Sequence, residues 1–301
     1  MAAAWNAVNR AARNGHFMFD RGFMDYHADR FADASMTLWA DGRLAAILPA
    51  SRAGDEVVSH GGLTFGGLVN DDLGVSDTLA ALDAVAAAWA MQGARRLTYK
   101  PSPAIYHLRP AQEDLYWLFR REAPLVRRDV TAAIDYRARG AVSSRRTRGA
   151  RKAAKAGVAF RRVDGWGAYW TLLEGVLQGR HGVRPTHSLA EIELLAGRLP
   201  GEIELHVAEG DGELQAGVVM FVTPQVAHAQ YIAASEAGRE TGALDGLFEH
   251  LIHGYSGRSR YFDFGISNTE QGRVLNEGLI RQKEEFGASA VAHDFYEVAL
   301  A

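Results

Sequence analysis

The sequence contains no cysteine among its 301 residues. A disulfide framework, a thiolate nucleophile and a zinc site with cysteine ligands are therefore excluded. Long apolar runs are also missing, because no stretch approaches the roughly 18 apolar residues that a membrane-spanning helix requires. Residues 1–15 lack the apolar core of a signal peptide. With 48% hydrophobic and 23% charged residues, we expect a globular protein in the cytoplasm, without a membrane span.

Positive and negative charges are nearly balanced, and the formal net charge is −3. One segment departs from this balance, since Ser143 to Lys155 contains six basic residues and no acidic residue. Its alanine and arginine residues favour a helix. A basic run of this kind is either a solvated face or the contact surface for a phosphate-rich ligand, and the residues alone leave both interpretations open.

The two halves of the sequence repeat one order of elements. Asp41-Gly42, which predicts a hairpin turn, recurs as Asp211-Gly212 at an offset of 170 (211 minus 41). The helical motif Ala-Leu-Asp at 81–83 recurs at 243–245, at an offset of 162 (243 minus 81). The ordered succession of elements predicts two copies of one α/β unit.

The stretch from Tyr261 to Gly287 combines a strand, a turn and an amphipathic helix that is predicted to begin near Arg273. Residues alternate along the strand, so every second side chain is expected to face the core. The predicted core residues are Phe262, Phe264 and Ile266. Lys283 lies on the margin of the helical stripe, where it can lean towards Asp263 or lay its stem along the core. Because irregular connections at strand ends often carry function, we expect the site here.

The glycine-rich segment 59–67 is a second candidate, with four glycines in nine residues. Its backbone can approach a ligand closely or adopt positive φ. It lacks the Lys-Ser/Thr pair of a P-loop, so an ordinary turn is the alternative to a phosphate cradle.

Two α/β copies joined by a basic segment, a Tyr-Phe-Asp-Phe-Gly strand at 261–265 and a helix ending Lys-Glu-Glu-Phe-Gly at 283–287 resemble the doubled GNAT fold of the Fem-like acyltransferases. The resemblance implies an α/β fold of two tandem GNAT-like units, each with a mixed central sheet flanked by helices. We expect an N-terminal unit at 1–140, a basic helical arm at 141–155 and a C-terminal unit with the main site at 156–301.

This resemblance also implies amide-bond formation by direct acyl transfer, with no tightly bound cofactor. The co-substrate would be an aminoacyl-tRNA, which we favour because of the basic arm, or an acyl-CoA. CoA-dependent members commonly carry Gln/Arg-x-x-Gly-x-Gly/Ala, whose amides at a helix start hold the pyrophosphate. The segment 239–244 matches only in part, since Leu244 replaces the last small residue. The expected acceptor is the amine of a small molecule or of a cell-envelope or natural-product precursor, or an amino sugar or other small amine if acyl-CoA is the donor.

The resemblance and the residue pattern together suggest the site residues. Lys283 is expected to meet developing negative charge or a donor phosphate, and Asp263 to orient Lys283 or the amine. Tyr261 and His228 are weaker candidates for proton transfer. The expected donor-binding residues are Arg145, Arg146, Arg148, Arg151, Lys152, Arg239 and Gly242. The expected acceptor-binding residues are His60, Gly61, Gly62, Gln230, Ser267 and Asn276.

Other functions have less support in the sequence. Gly265-Ile266-Ser267 is not the G-x-S-x-G elbow of a serine hydrolase. His250 and His253 have no carboxylate ligand pattern around them, so no metal site is expected. A non-catalytic RNA- or sugar-binding module on the same fold remains an alternative to the acyltransferase, and the oligomeric state is left open.

Overall fold

The computed structural model describes residues 1–300, without the side chains of residues 180 and 181. The α-helices are α1 (Ala2–Ala11), α2 (Arg21–Met24), α3 (Val75–Met91), α4 (Glu113–Arg120), α5 (Ser144–Lys155), α6 (Gly167–His181), α7 (Leu189–Arg198), α8 (Glu236–Thr241), α9 (Ala243–Tyr255) and α10 (Glu277–Glu284). The β-strands are β1 (Ala32–Asp33), β2 (Met36–Ala40), β3 (Arg43–Leu48), β4 (Ala50–Ala53), β5 (Glu56–Ser59), β6 (Val69–Asn70), β7 (Arg96–Tyr99), β8 (Leu125–Asp135), β9 (Ala159–Val163), β10 (Ile203–Gly210), β11 (Glu213–Val222), β12 (Val226–Ala234), β13 (Tyr261–Ile266), β14 (Asn268–Thr269), β15 (Val274–Leu275) and β16 (Ser289–Ala299). None of these helices is both long and apolar enough to cross a membrane.

The described chain folds into two compact units. Unit 1 comprises Met1–Val130, Asn268–Leu275 and the segment from Val291 onwards, whereas unit 2 comprises Thr131–Ser267 and Asn276–Ala290. These bounds differ from the division expected at residues 140 and 155. Two short segments of the C-terminal half belong to unit 1, namely Asn268–Leu275 and the segment from Val291 onwards. The second of these contains most of β16, which joins unit 1 because it pairs antiparallel with β7. The basic arm, α5, belongs to unit 2.

Unit 1 contains the strand order β1-β4-β5-β7-β16, in which β5 and β7 are parallel. A smaller sheet has the order β2-β3-β6. Pro49 separates β3 from β4, because proline has no N–H to donate to a ladder. α3 buries Leu82, Val85 and Trp89 in the core of this unit.

Unit 2 contains the strand order β8-β13-β12-β11-β10-β9, in which only β12 and β13 form a parallel pair. The amphipathic stripe of α9 lies on one face of this sheet, where Leu247, Phe248 and Leu251 are buried in the core. The helix α5 packs against α9. On the other face, Trp170 of α6 packs edge-on against Tyr231 of β12.

The predicted duplication is visible in the two hairpin turns. Asp41 and Gly42 have φ angles of 50° and 76°, and Asp211 and Gly212 have φ angles of 54° and 78°. Positive φ at both central positions is the requirement of a type I′ turn, which Asp-Gly meets at low cost. The two turns therefore have the same conformation, as the sequence repeat predicts.

A bulge interrupts the second strand of each hairpin at the same position. The extra residue is Ala45 in β3, opposite Leu38 and Trp39, and Gln215 in β11, opposite Ala208 and Glu209, and these positions again differ by 170 (215 minus 45). In each unit a helix, α3 or α9, then leads into a strand that pairs in parallel with an inner strand. The structure thus contains two copies of one α/β unit.

The strand β13 departs from strict alternation. Phe262 and Phe264 are buried as predicted, but Ile266, which was expected in the core, is 38% exposed. Gly265 causes the change, because its φ of 76° accompanies an irregular register with β8. A side chain that follows such a bulge points to a different face from the one that simple alternation predicts.

Candidate active site

The ladder between β12 and β13 ends within unit 2. Parallel pairing reaches His228 and Asp263 and goes no further. Beyond these residues both strands are irregular, since Gln230 is the extra residue of a bulge in β12 and Gly265 has positive φ in β13. Bulges commonly re-aim side chains beside a functional opening. His228 and Asp263 therefore lie where the sheet opens.

His228 and Asp263 form a hydrogen-bonded pair. The Nδ1 atom of His228 lies 2.7 Å from a carboxylate oxygen of Asp263, which is fully buried. The carboxylate also accepts hydrogen bonds from the Thr131 hydroxyl and from the Gly265 amide, the latter at 3.2 Å. These contacts fix the carboxylate, and the carboxylate fixes the imidazole ring and places a proton on Nδ1.

The second ring nitrogen of His228 faces Gln230. Its Nε2 atom lies 3.1 Å from the Gln230 side-chain oxygen. A primary amide has one accepting end and one donating end, so Gln230 can partner either an imidazolium N–H or, after rotation, a neutral imidazole nitrogen. The pair can therefore gain or lose a proton at Nε2 without leaving that atom unpartnered.

Lys283 leans towards the end of β13. Its ammonium donates to the backbone oxygens of Gly265 and Ile266, at 2.7 and 2.8 Å, and to the Ser267 hydroxyl at 2.8 Å. The residue is only 4% exposed, and burial lowers its pKa to about 8, although the negative charge of Asp263 opposes the shift. All three ammonium protons are used, so Lys283 clamps the bulged strand end.

Three other predicted residues have local structural partners. Ser267 is buried against Lys283, and its backbone oxygen accepts from the Asn276 amide at 2.8 Å. The Asn276 side chain caps α10 by accepting from the Leu279 amide at 3.0 Å, which explains why the helix begins at 277 and not near 273. Tyr261 lies at the start of β13 with its ring under the Arg260 guanidinium. These contacts do not support the acceptor-binding roles expected for Ser267 and Asn276.

A cavity of about 310 Å³ lies in unit 2 beside the diverging strands. Its apolar wall includes Ile232, Phe248 and Phe264, and Lys283 lies at its edge. Arg239 also lines it, with one guanidinium nitrogen donating to the Ala234 oxygen at 2.9 Å. The cavity has the volume of a small-ligand site, and two cationic side chains, Lys283 and Arg239, line it.

Arg146 cannot serve as a donor-binding residue. Its guanidinium is buried on α5, 2.5 Å from Asp245 and 2.7 Å from Glu285, and lies over the Phe286 ring. Burial raises the pKa of Asp245, which Arg146 opposes. This ion pair attaches α5 to unit 2, because either partner left alone would be a buried unpaired charge. The expected contact of Arg146 with a donor is therefore corrected to a structural role.

The turn before α9 is closed by α5. Gly242 has φ of 79°, and a Cβ built on it would lie 2.5 Å from the Gly149 oxygen. A Cβ on Gly149 would in turn overlap the Asp245 carboxylate. Helix α5 thus covers the first turn of α9, where a phosphate would otherwise meet free amides. The phosphate-binding role expected for Gly242 is corrected on this ground.

The remaining basic residues of α5 point to solvent. They are Arg145, Arg148, Arg151, Lys152 and Lys155. Arg145 lies 3.8 Å from Glu285, a distance at which an exposed pair contributes little. Helix α5 is therefore two-sided, with one arginine and small residues against α9 and a cationic outer face.

The glycine-rich loop of unit 1 is packed on itself. His60 is buried, with Nε2 at 2.9 Å from the Met18 oxygen, and burial lowers its pKa to about 4. A Cβ on Gly61 would overlap Ser51. The Lys100 ammonium donates to the His60 oxygen at 2.7 Å. The expected acceptor site at His60 and its two following glycines is thus a tightly packed turn, and it lies in a different unit from Gln230 and Ser267.

Thr131 was missed by reasoning from the sequence. It is fully buried in β8 and bonds to Asp263 from 132 positions away. A threonine within the apolar run Val-Thr-Ala-Ala-Ile was the available signal. Among the described residues, no group of three or more histidine and acidic side chains could hold a metal ion.

Comparison with known proteins shows what this architecture is similar to. Residues 141–271 match the family described as acetyltransferase (GNAT) domain. FemX is 12% identical with a TM-score of 0.70, over 98% of this chain and 95% of FemX. The C-terminal domain of a putative lysylphosphatidylglycerol synthetase from Agrobacterium fabrum is 14% identical with a TM-score of 0.65, over 100% and 92% of the two chains. L-PGS from Bacillus licheniformis is 11% identical with a TM-score of 0.60, over 91% and 90%. No match is found among curated protein sequences.

The GNAT match covers α5, α9, β12 and β13, together with His228 and Asp263. The structural matches extend the FemX fold over nearly the whole chain. Residues 141–271 therefore carry a GNAT acyltransferase domain, and the chain as a whole has the fold of FemX. The predicted fold class of two tandem GNAT-like units and the predicted acyltransferase class are both confirmed.

Proposed function

We propose that the protein transfers an aminoacyl group from aminoacyl-tRNA to the amine of a small molecule or of a cell-envelope or natural-product precursor. The amine nitrogen attacks the ester carbonyl carbon, a C–N bond forms, and the C–O bond to the terminal ribose breaks. The amine loses a proton and the ribose hydroxyl gains one. No covalent enzyme intermediate is required, so positioning and proton transfer suffice.

His228 is the group that we assign to proton transfer. Its Nδ1 is held by the buried Asp263 carboxylate, so Nε2 is the atom that accepts the proton from the attacking amine and returns it to the leaving hydroxyl. Gln230 partners Nε2 in the resting state and must give way to the amine. Asp263 positions the ring and stabilises the imidazolium that forms.

Lys283 is assigned to positioning. Its ammonium holds the Gly265 and Ile266 carbonyls at the open end of β13. The Gly265 amide donates to Asp263, so the clamp supports the backbone that holds the pair. The direct charge contact with a donor that the sequence suggests would require Lys283 to leave its three present partners.

The different properties of the two faces of α5 are the reason that we favour aminoacyl-tRNA as the donor. Its inner face closes the turn at Gly242, which disfavours a pyrophosphate there, while its outer face leaves several cations in solvent. An aminoacyl-tRNA presents many phosphates to such a surface, whereas an acyl-CoA presents few. The name of one structural neighbour, lysylphosphatidylglycerol synthetase, also describes an aminoacyl product.

An acyl-CoA donor is the second candidate. The cavity beside the diverging strands is apolar, and Arg239 stands at its edge, so a thioester arm and a single phosphate could be held there. In that case the acceptor is an amino sugar or another small amine.

A donor assay separates the two. The purified protein is mixed with tRNA charged with radiolabelled amino acids, or with labelled acetyl-CoA, and with a panel of small amines. We expect label to enter an amide product from the charged tRNA, and we expect ribonuclease added before the enzyme to abolish this transfer. Turnover of acetyl-CoA that is indifferent to ribonuclease, with no transfer from charged tRNA, would overturn the proposal.

A further inference from the structure

Unit 1 contains an open groove between β2 and α3. Its volume is about 550 Å³. One wall is the alanine-rich face of α3, which includes Ala80, Ala84 and Ala88, and the other includes Leu38 and Trp39. Trp39 is 57% exposed, which is unusual for so large an apolar side chain.

The same face of the equivalent helix in unit 2 is covered. At the offset that relates α3 to α9 (81 to 243), Ala80, Ala84 and Ala88 correspond to positions 242, 246 and 250 of the second unit. Each of these meets the α5–β9 segment. Residue 242 lies against the backbone of Gly149, and a Cβ on residue 246 would lie 2.6 Å from the Phe160 ring. The ring of residue 250 stacks on Phe160 at 5.6 Å.

The strand side of the groove shows the same difference. At the offset that relates the two hairpin turns (41 to 211), Trp39 corresponds to Glu209 of β10. The edge of β10 pairs with β9, and Glu209 binds the Arg161 guanidinium at 2.7 and 2.8 Å. In unit 1, β2 is the last strand of its three-stranded sheet. An edge of this kind is a template for pairing with another strand.

We propose that this groove is a docking site for a partner protein that supplies a helix and a strand of the α5–β9 type. The helix would carry glycine or alanine on its contact face, so that it can approach the alanines of α3 as closely as α5 approaches α9. The strand would add to β2, place one aromatic side chain in the groove as Phe160 is placed in unit 2, and set an arginine over Trp39.

The negative charge of the groove indicates that its partner is positively charged. Asp41 and Asp77 line it, and no other described residue of its wall has an ionisable side chain. Among the side chains that the structure describes, neither carboxylate forms an ion pair within 4 Å. Two carboxylates beside an apolar wall favour a basic amphipathic helix, and α5 has this composition in unit 2.

A peptide taken from the chain itself provides the probe. A labelled peptide of residues 143–163 is titrated with the full-length protein, and binding is followed by fluorescence anisotropy. We expect saturable binding, because the intramolecular α5 occupies its own place in unit 2 while the groove of unit 1 is open. A peptide with Phe160→Ala has the same charge and the same helix, and we expect it to bind about tenfold more weakly or worse.

Two protein variants locate the binding. Ala84→Lys puts a long cationic side chain into the groove, whereas Ala87→Lys adds the same side chain to an exposed position of α3 outside the groove wall. Lysine is a good helix former, so both variants are expected to fold, and circular dichroism verifies this. We expect at least about a tenfold loss of affinity for Ala84→Lys and no change for Ala87→Lys. Absence of binding to the wild type, or equal affinities for the two variants, would overturn the proposal. The test uses binding alone, so it is independent of the donor and of the chemistry in unit 2.

Discussion

The buried carboxylate of Asp263 holds the Nδ1 atom of His228 at 2.7 Å. This contact joins neighbouring strands at the last paired position of a parallel ladder. A histidine held in this way has one ring orientation. The fold thus supplies a proton acceptor in the part of unit 2 where the sheet opens.

Replacing Asp263 by asparagine tests the role of the carboxylate. The substitution keeps the size of the side chain but removes its charge and can leave the ring in the wrong tautomer. We expect kcat to fall by roughly 10² to 10⁴. Thr131→Val is the control, because it removes another hydrogen bond to the same carboxylate and leaves the contact with His228 in place. Equal losses of kcat in the two variants would show that Asp263 acts only through packing.

Lys283→Met tests the clamp at the end of β13. Methionine keeps most of the stem but leaves the two backbone oxygens and the Ser267 hydroxyl without their donor. We expect the free energy of unfolding at pH 7 to fall by about 1 to 3 kcal/mol, as measured by urea denaturation. An unchanged midpoint would mean that the three hydrogen bonds contribute nothing net.

The same pair of proteins gives a pH dependence with a definite sign. The pKa of Lys283 is lowered from 10.5 to about 8, so between these values the unfolded chain binds more protons than the folded one. Stability from this group therefore rises with pH over that window, and the cost of burying the charge is fully present below about pH 8. We expect the wild type to gain stability relative to Lys283→Met between pH 8 and pH 10. If the free energy of unfolding of the wild type minus that of Lys283→Met stays constant or falls between pH 8 and pH 10, the result would contradict the burial of a charged lysine.

Arg146 and Arg148 both lie on α5, but their replacement is expected to change the free energy of unfolding by different amounts. Arg146→Gln leaves Asp245 and Glu285 without their buried cation, so we expect a loss of about 3 to 5 kcal/mol in the free energy of unfolding. Arg148→Gln changes an exposed side chain and is expected to stay within about 0.5 kcal/mol of the wild type. Similar losses for both variants would contradict the two-sided description of α5.

The outer face of α5 is tested by the salt dependence of tRNA binding. Combined replacement of Arg148, Arg151 and Lys152 by glutamine should weaken binding and reduce the slope of log K against log salt by roughly 0.7 to 0.9 for each phosphate that the variant no longer neutralises. A matched control changes three exposed arginines of unit 1. These are Arg95, Arg96 and Arg120. If the control reduces the slope as much as the α5 variant does, binding is not directed by α5.

The elements that local periodicity defines could be predicted from the sequence. The Asp-Gly hairpins, the apolar stripe of α9 and the burial of Phe262 and Phe264 all follow from patterns within a few residues. Ile266 was misplaced because one glycine with positive φ ended the alternation. Alternation is a property of regular strands, and the site lies where regularity ends.

Contacts between distant segments could not be predicted in the same way. Asp263 was expected in the site, but its partners His228 and Thr131 come from two other strands, and their meeting depends on the sheet register. The burial of Arg146 could have been predicted, since Arg146, Ala150 and Ala153 share one helical face. The closed turn at Gly242 could not have been predicted, because it depends on the close approach of the α5 backbone.

Single-turnover transfer by a His228 variant tests the assignment of unit 2 most directly. With enzyme in excess over labelled aminoacyl-tRNA and with an accepted amine present, the rate of amide formation is measured for the wild type and for His228→Gln. Excess enzyme removes product release from the measured rate, and the substitution leaves the surrounding core unchanged. We expect the rate to fall by roughly 10² to 10⁴ while tRNA binding is unchanged. A His228→Gln rate within a fewfold of the wild type would contradict the assignment of proton transfer to the pair His228 and Asp263.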